Sequence, residues 1–148
     1  MTRINSGIRP IQLIDAHLFA ENRELKRIPN TIKSGRAIIK DIPKQFTLGT
    51  GHVKWFYPRL KYLHKRSDEL YQELIKRGYN VEDYSSCFEN LPSHLYNDWD
   101  DSVGKNILVE RITERLYGMK DIKYNHIPIS VEEAIIKYPD WLNENRNI

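Results

Sequence analysis

Between Pro58 and Gly78 the segment RLKYLHKRSDELYQELIKR sets Leu60, Leu63, Leu70, Leu74 and Ile75 at three- and four-residue steps. That spacing lines one face of a helix, because residues three and four apart stand above one another on a 3.6-residue spiral. Pro58 reads as the first helical residue and Gly78 as the stop. Arg59, Lys61, Lys65 and Arg66 fall in the first half of this helix, where they form either a phosphate-facing ridge or a solvated face. His64 among them reads as a surface residue.

The same periodicity recurs on either side. Ile11, Ile14, Leu18, Leu25, Ile28 and Ile32 predict one long helix or two consecutive ones from Ile11 to about Lys40, bent or divided at Pro29. A helix from Ser102 to about Tyr117 is expected with Val103, Ile107, Ile112 and Leu116 inward, and a short one from Val131 to Tyr138 ends at Pro139. Asp98, Asp100 and Asp101 follow no metal-loop spacing and read as caps of the helix after them. Between the helices lies IPKQFTLGTGHVKWFYP, in which Gly49 and Gly51 mark a tight turn. Its Trp55, Phe56 and Tyr57 read as core in preference to a base-stacking platform.

A chain of 148 residues suits one domain. Cys87 is the only cysteine, which excludes an internal disulfide and a cysteine-based metal site. No apolar run approaches the roughly 18 residues of a membrane span, and no signal peptide is apparent, so a soluble cytoplasmic protein is expected. The net charge of +3 conceals an asymmetry: residues 1–77 carry sixteen Lys/Arg against seven Asp/Glu, and residues 78–148 carry seven against thirteen. The basic half points to a polyanion, or serves solubility alone.

Within that basic half, HLFAENRELKR from His17 to Arg27 places His17, Glu21 and Glu24 along one helical face and Arg23 with Arg27 along a neighbouring one. Cations that hold a phosphate backbone beside a carboxylate that moves protons would suit a nucleic-acid enzyme; salt-bridged solvated faces are the plainer alternative. The opening MTRINSGIRP reads as an extended arm entering a helix. Thr2 is small enough for Met1 to be removed in a cell. The exposed α-amine would have an ordinary pKa of about 7.7 to 8.0, against about 10.4 for lysine, so part of it is nucleophilic at cellular pH.

Thr2-Arg3-Ile4-Asn5, His17-Leu18 with Ala20-Glu21 and Arg23-Glu24-Leu25, Leu48-Gly49-Thr50-Gly51-His52-Val53 with Phe56-Tyr57, and Lys76-Arg77-Gly78 together carry a resemblance. In order and approximate spacing they resemble the phage-type endonuclease V family, the pyrimidine-dimer DNA glycosylases and AP lyases of viruses. The resemblance spans about residues 1–80. It continues faintly through Asn97-Asp98-Trp99 and the helix bearing Arg111 and Arg115. Ala16 and Asn22 stand where the family commonly has Gln and an aromatic residue. Tyr117 and Tyr124 are the nearest counterparts of its C-terminal aromatic patch.

The resemblance implies an all-α fold: a single compact domain, 1–148, of about three to four packed helices with irregular loops. Within it, 1–119 is the family-like core and 120–148 a C-terminal extension. It implies a DNA repair enzyme that excises cyclobutane pyrimidine dimers from duplex DNA through an imine on the N-terminal amine, followed by β-elimination. Thr2 and Glu24 are the implied catalytic residues, and Arg3, His17, Arg23, Arg27 and Arg111 the implied DNA-binding residues. No metal or cofactor is implied. The expected partner is double-stranded DNA containing pyrimidine dimers or abasic sites, met by a monomer of viral or phage origin without a membrane role. Two alternatives stand beside this reading: the same chemistry on another damaged or modified base, and a non-catalytic DNA-binding protein on the same fold.

Overall fold

The computed structural model describes residues 2–136. Helices dominate, as an all-α fold requires: α1 (Asp15–Leu25), α2 (Arg27–Lys33), α3 (His52–Phe56), α4 (Leu60–Lys76), α5 (Lys105–Tyr117) and α6 (Val131–Ile136), with one two-stranded ribbon of β1 (Lys123–Tyr124) and β2 (Ile127–Pro128). The described residues divide into two compact units, one of residues 2–4 and 21–100 and the other of residues 5–20 and 101–136.

The first unit contains α2, α3, α4 and the last turn of α1. Pro29 does divide the first helical stretch, but the break falls earlier, at Lys26 between α1 and α2. The reason lies in the ring: proline offers no N–H to the carbonyl four residues back, that of Leu25, and its ring crowds that carbonyl. As the third residue of α2, Pro29 needs no intrahelical donor of its own.

The expected extension to Lys40 fails. Gly35, at φ +77°, ends α2 by placing its N–H on Ile32 O and that of Arg36 on Thr31 O, at 3.1 and 3.3 Å. This Schellman pairing satisfies the last carbonyls and turns the chain away. Gly78 closes α4 in the same way, with its own N–H on Ile75 O and that of Tyr79 on Leu74 O.

Leu60, Leu63, Leu70 and Leu74 are fully buried along α4, whereas Ile75 is exposed, one residue beyond the stripe. Pro58 sits before the helix and not inside it, with Arg59 as the flanking residue. Asn97 braces the start of α4: its carbonyl accepts from Tyr62 N–H in the first turn, and its side chain donates to Pro58 O just before the helix. Trp99, two residues on, joins Phe46, Trp55, Phe56 and Tyr62 in an aromatic core with ring centroids 5.2 to 5.9 Å from its own. The pairs with Trp55, Phe56 and Tyr62 are edge-to-face, one of the preferred arrangements of aromatic rings, and Phe46 is tilted at 30° to Trp99. Trp55, Phe56 and Tyr57 are therefore core, as their setting in the sequence suggested.

The second unit holds the remainder of α1, α5, α6 and the ribbon. In α5 the buried side chains are Leu108, Val109, Ile112 and Leu116, while Ile107, and Val103 ahead of the helix, are exposed. The helix begins at Lys105, later than the expected Ser102, behind Gly104 in the left-handed region. The N-cap position is held by Gly104, and Asp101 Oδ2 accepts from Gly7 N–H.

Asn125 and His126 both have positive φ, the backbone that a two-residue hairpin needs. Their amides donate to the two carboxylate oxygens of buried Asp15, each at 2.8 Å, which ties the turn to the start of α1. α6 starts behind Ser130, whose hydroxyl accepts from Glu133 N–H. The expected end of this helix at Pro139 lies outside the described residues.

Candidate active site

Thr2, Arg3, Arg23, Glu24 and Arg27 all belong to the first unit. Arg3 precedes the first helix in an arm without regular structure and is exposed, while Thr2 before it is 9% exposed. Beyond Arg3 the arm is fixed: Ile4 is fully buried, and its N–H donates to Nε2 of His52 at 3.0 Å. The residue that opens α3 thus holds the chain two residues from Thr2.

The two carboxylates of the opening stretch meet different fates. Glu21 is buried and receives two hydrogen bonds from Arg66 of α4, Nε to Oε2 at 2.6 Å and Nη2 to Oε1 at 3.0 Å. This side-on fork matches guanidinium to carboxylate and neutralises both charges where water cannot reach. Arg66 is accordingly neither a phosphate ridge nor a solvated residue. Its guanidinium is held firmly charged, because the Glu21 carboxylate outweighs the burial that would otherwise favour the neutral form.

Glu24 lies three residues further along the same helix, so its side chain projects about 60° round from that of Glu21. Its side chain keeps 15% of its surface. Among the described residues its ion-pair partner is Arg23, at 3.8 Å, which is too long for a hydrogen bond. Arg23 itself is 63% exposed, and Arg27, at the start of α2, is also exposed. A partly exposed carboxylate beside an exposed guanidinium can stabilise a cation and move a proton next to a bound polyanion.

His17 and Arg111 belong to the second unit, where each is half-buried, on α1 and α5 respectively. Among the described residues no group of three His, Cys, Asp or Glu side chains could hold a metal ion, and no helix is long and apolar enough to cross a membrane. His64 is occupied in packing: it stacks on Phe88 with centroids 4.8 Å apart and shares a hydrogen bond with the Tyr96 hydroxyl.

Two residues near this site have roles that local sequence does not signal. Arg66 looked like one more cation on an amphipathic helix, and nothing local signals a partner 45 residues away. His52 carried a signal in its place after two glycines, but its target in the arm could not be read from spacing.

The class, the DNA repair glycosylases, is given by a family comparison. A family model described as pyrimidine dimer DNA glycosylase matches residues 1–85. The chain belongs to that family, the one typified by phage endonuclease V, and its substrate is DNA.

Proposed function

We propose that the protein is a bifunctional glycosylase and AP lyase that acts on cyclobutane pyrimidine dimers in duplex DNA, with the α-amine of Thr2 as nucleophile once Met1 is removed. The neutral amine attacks C1′ of the damaged nucleotide. As the N–C1′ bond forms, the glycosidic bond breaks and its electron pair leaves with the base, which takes up a proton. Opening of the C1′–O4′ bond then yields an imine. Loss of a C2′ proton drives β-elimination: the C3′–O bond breaks, the phosphate departs, and water later releases the sugar fragment and restores the amine.

Glu24 has the central role in this reading. Its carboxylate stabilises the positive charge that builds at C1′ and accepts the C2′ proton during elimination. The observation that carries the proposal is the contrast along α1: Glu21 is consumed by Arg66, whereas Glu24 is partly exposed and, among the described residues, is ion-paired by the long contact with Arg23. Arg3, Arg23 and Arg27 supply exposed positive charge for the phosphates on either side of the lesion. His17 and Arg111 are assigned to the same DNA.

A panel of duplex oligonucleotides carrying a cyclobutane dimer, an abasic site or another damaged base tests this function. Strand scission at the dimer and at the abasic site is expected. Scission confined to a different lesion would transfer the chemistry to that base, and tight binding without scission at any site would leave a DNA-binding protein and overturn the proposal.

A further inference from the structure

His52 has both ring nitrogens committed within the first unit. Nε2 lies 3.0 Å from Ile4 N, and Nδ1 lies 3.0 Å from Thr47 O. A backbone amide can only donate and a carbonyl can only accept, so the partners dictate the tautomer: the proton is on Nδ1, and the Nε2 lone pair receives the Ile4 N–H. The ring is 3% exposed and is flanked edge-on by Phe46 and Phe56, with centroids 5.6 and 5.2 Å away. The turn that presents it is equally constrained, since a Cβ on Gly51 would lie 2.8 Å from Thr47 Cγ2 and 2.9 Å from Pro43 Cγ. His52 is therefore a rigid brace between the glycine turn and the N-terminal arm.

We infer that His52 is a positioning residue for the reaction: through the Ile4 N–H···Nε2 bond it sets where the Thr2 α-amine sits. This rests on the proposed role of that amine. Ile4 follows Thr2 by two residues, a reach of at most about 7 Å, so an anchor at Ile4 restricts the amine to a small volume. A nucleophile displaced by about 1 Å can cost about 10²-fold in rate, so loss of the anchor should appear in the chemical step and not in DNA binding. The Thr47 bond orients the ring, and the Ile4 bond transmits that orientation to the arm.

Two substitutions separate these bonds. In His52→Gln the side-chain carbonyl reaches the position of Nε2 and can accept from Ile4 N–H. In His52→Asn the shorter carboxamide can donate to Thr47 O but falls short of the arm. Both lose the same ring packing, so thermal unfolding should place them close together.

Three readouts follow: hydrogen exchange of the Ile4 amide, the affinity for abasic-site duplex, and the single-turnover cleavage rate at saturating protein. Expected for His52→Asn is loss of Ile4 protection and a rate at least tenfold below that of His52→Gln, with the two affinities within about twofold. Equal rates for the two variants, in a wild-type background that gives a borohydride-trapped adduct, overturn the positioning role alone. Wild-type cleavage with no trapped adduct removes the imine reading instead, and the inference with it. Nitrogen NMR of the unaltered protein adds a test that needs no substitution: a proton on Nε2 at neutral pH contradicts the inference.

Discussion

Arg66 and Glu21 form a two-point fork, with Nε–Oε2 and Nη2–Oε1 distances of 2.6 and 3.0 Å, and their side chains are only 3% and 1% exposed. The pair fastens α1 to α4 from within. Taking one member away strands the other charge in the interior, at a cost of about 3 to 5 kcal/mol. Arg66→Met and Glu21→Gln should each lose stability on that scale in urea unfolding. The double variant should recover part of the loss, because no unpaired charge remains. Additive losses in the double variant would show that the two groups do not act as a pair.

Glu24 lies on the same helix but should behave in the opposite way. Because its ion pair among the described residues is the long Arg23 contact, Glu24→Gln should change stability by less than about 0.5 kcal/mol. Cleavage of lesion-bearing duplex should fall by roughly 10²-fold or more while binding persists. Unchanged turnover in single-turnover assays would assign the carboxylate a structural role.

Arg3, Arg23 and Arg27 should each report phosphate contact through salt. Binding to undamaged duplex should weaken steeply as salt rises, and removing one phosphate-binding arginine should flatten the slope of log K against log salt by about 0.9. Arg66, being buried against Glu21, cannot contribute to that slope while the protein remains folded. Identical slopes in the wild type and all three arginine variants would dismiss this face as the DNA contact.

Asp98 provides a pH test. Its carboxylate takes a hydrogen bond from Lys65 Nζ at 2.7 Å and another from Trp99 N–H at 2.9 Å, and these hold it below the ordinary carboxylate range, the Lys65 bond first. A group whose pKa is lower folded than unfolded adds stability that is present above the unfolded value of about 3.9 and fades as pH falls through the folded one. Both partners are well exposed, so Asp98→Asn should cost less than about 1 kcal/mol at neutral pH. Unfolding followed from pH 7 into acid should show the gap between wild type and variant closing below about pH 4. A gap that widened with acid would reverse the assigned sign.

The sequence disclosed helices where burial and local chemistry agree. Leu60, Leu63, Leu70 and Leu74 repeat at the helical period, and Gly78 stops the run with a backbone few other residues adopt. Boundaries slipped where the deciding contact is backbone geometry, as at Gly35 and at Leu25 ahead of Pro29. The ribbon was illegible, since Lys123–Pro128 shows no alternation and its turn is held by Asp15, more than a hundred residues earlier. The exposure of Arg23 and Arg27 beside Glu24 on consecutive helices follows from helical spacing, which is local. The pairing of Glu21 with Arg66 and of Ile4 with His52 was not legible, because each joins residues more than forty positions apart.

The central claim is that the Thr2 α-amine becomes covalently joined to DNA. Borohydride reduction during reaction with abasic-site duplex, followed by mass mapping of the adduct, tests it directly. Protein that begins at Thr2 should give an adduct carried on the N-terminal peptide. A preparation that retains Met1, or has a residue added before Thr2, should give none and should not cleave. Full trapping and cleavage with Met1 in place, or an adduct mapped to a lysine side chain, would contradict the account.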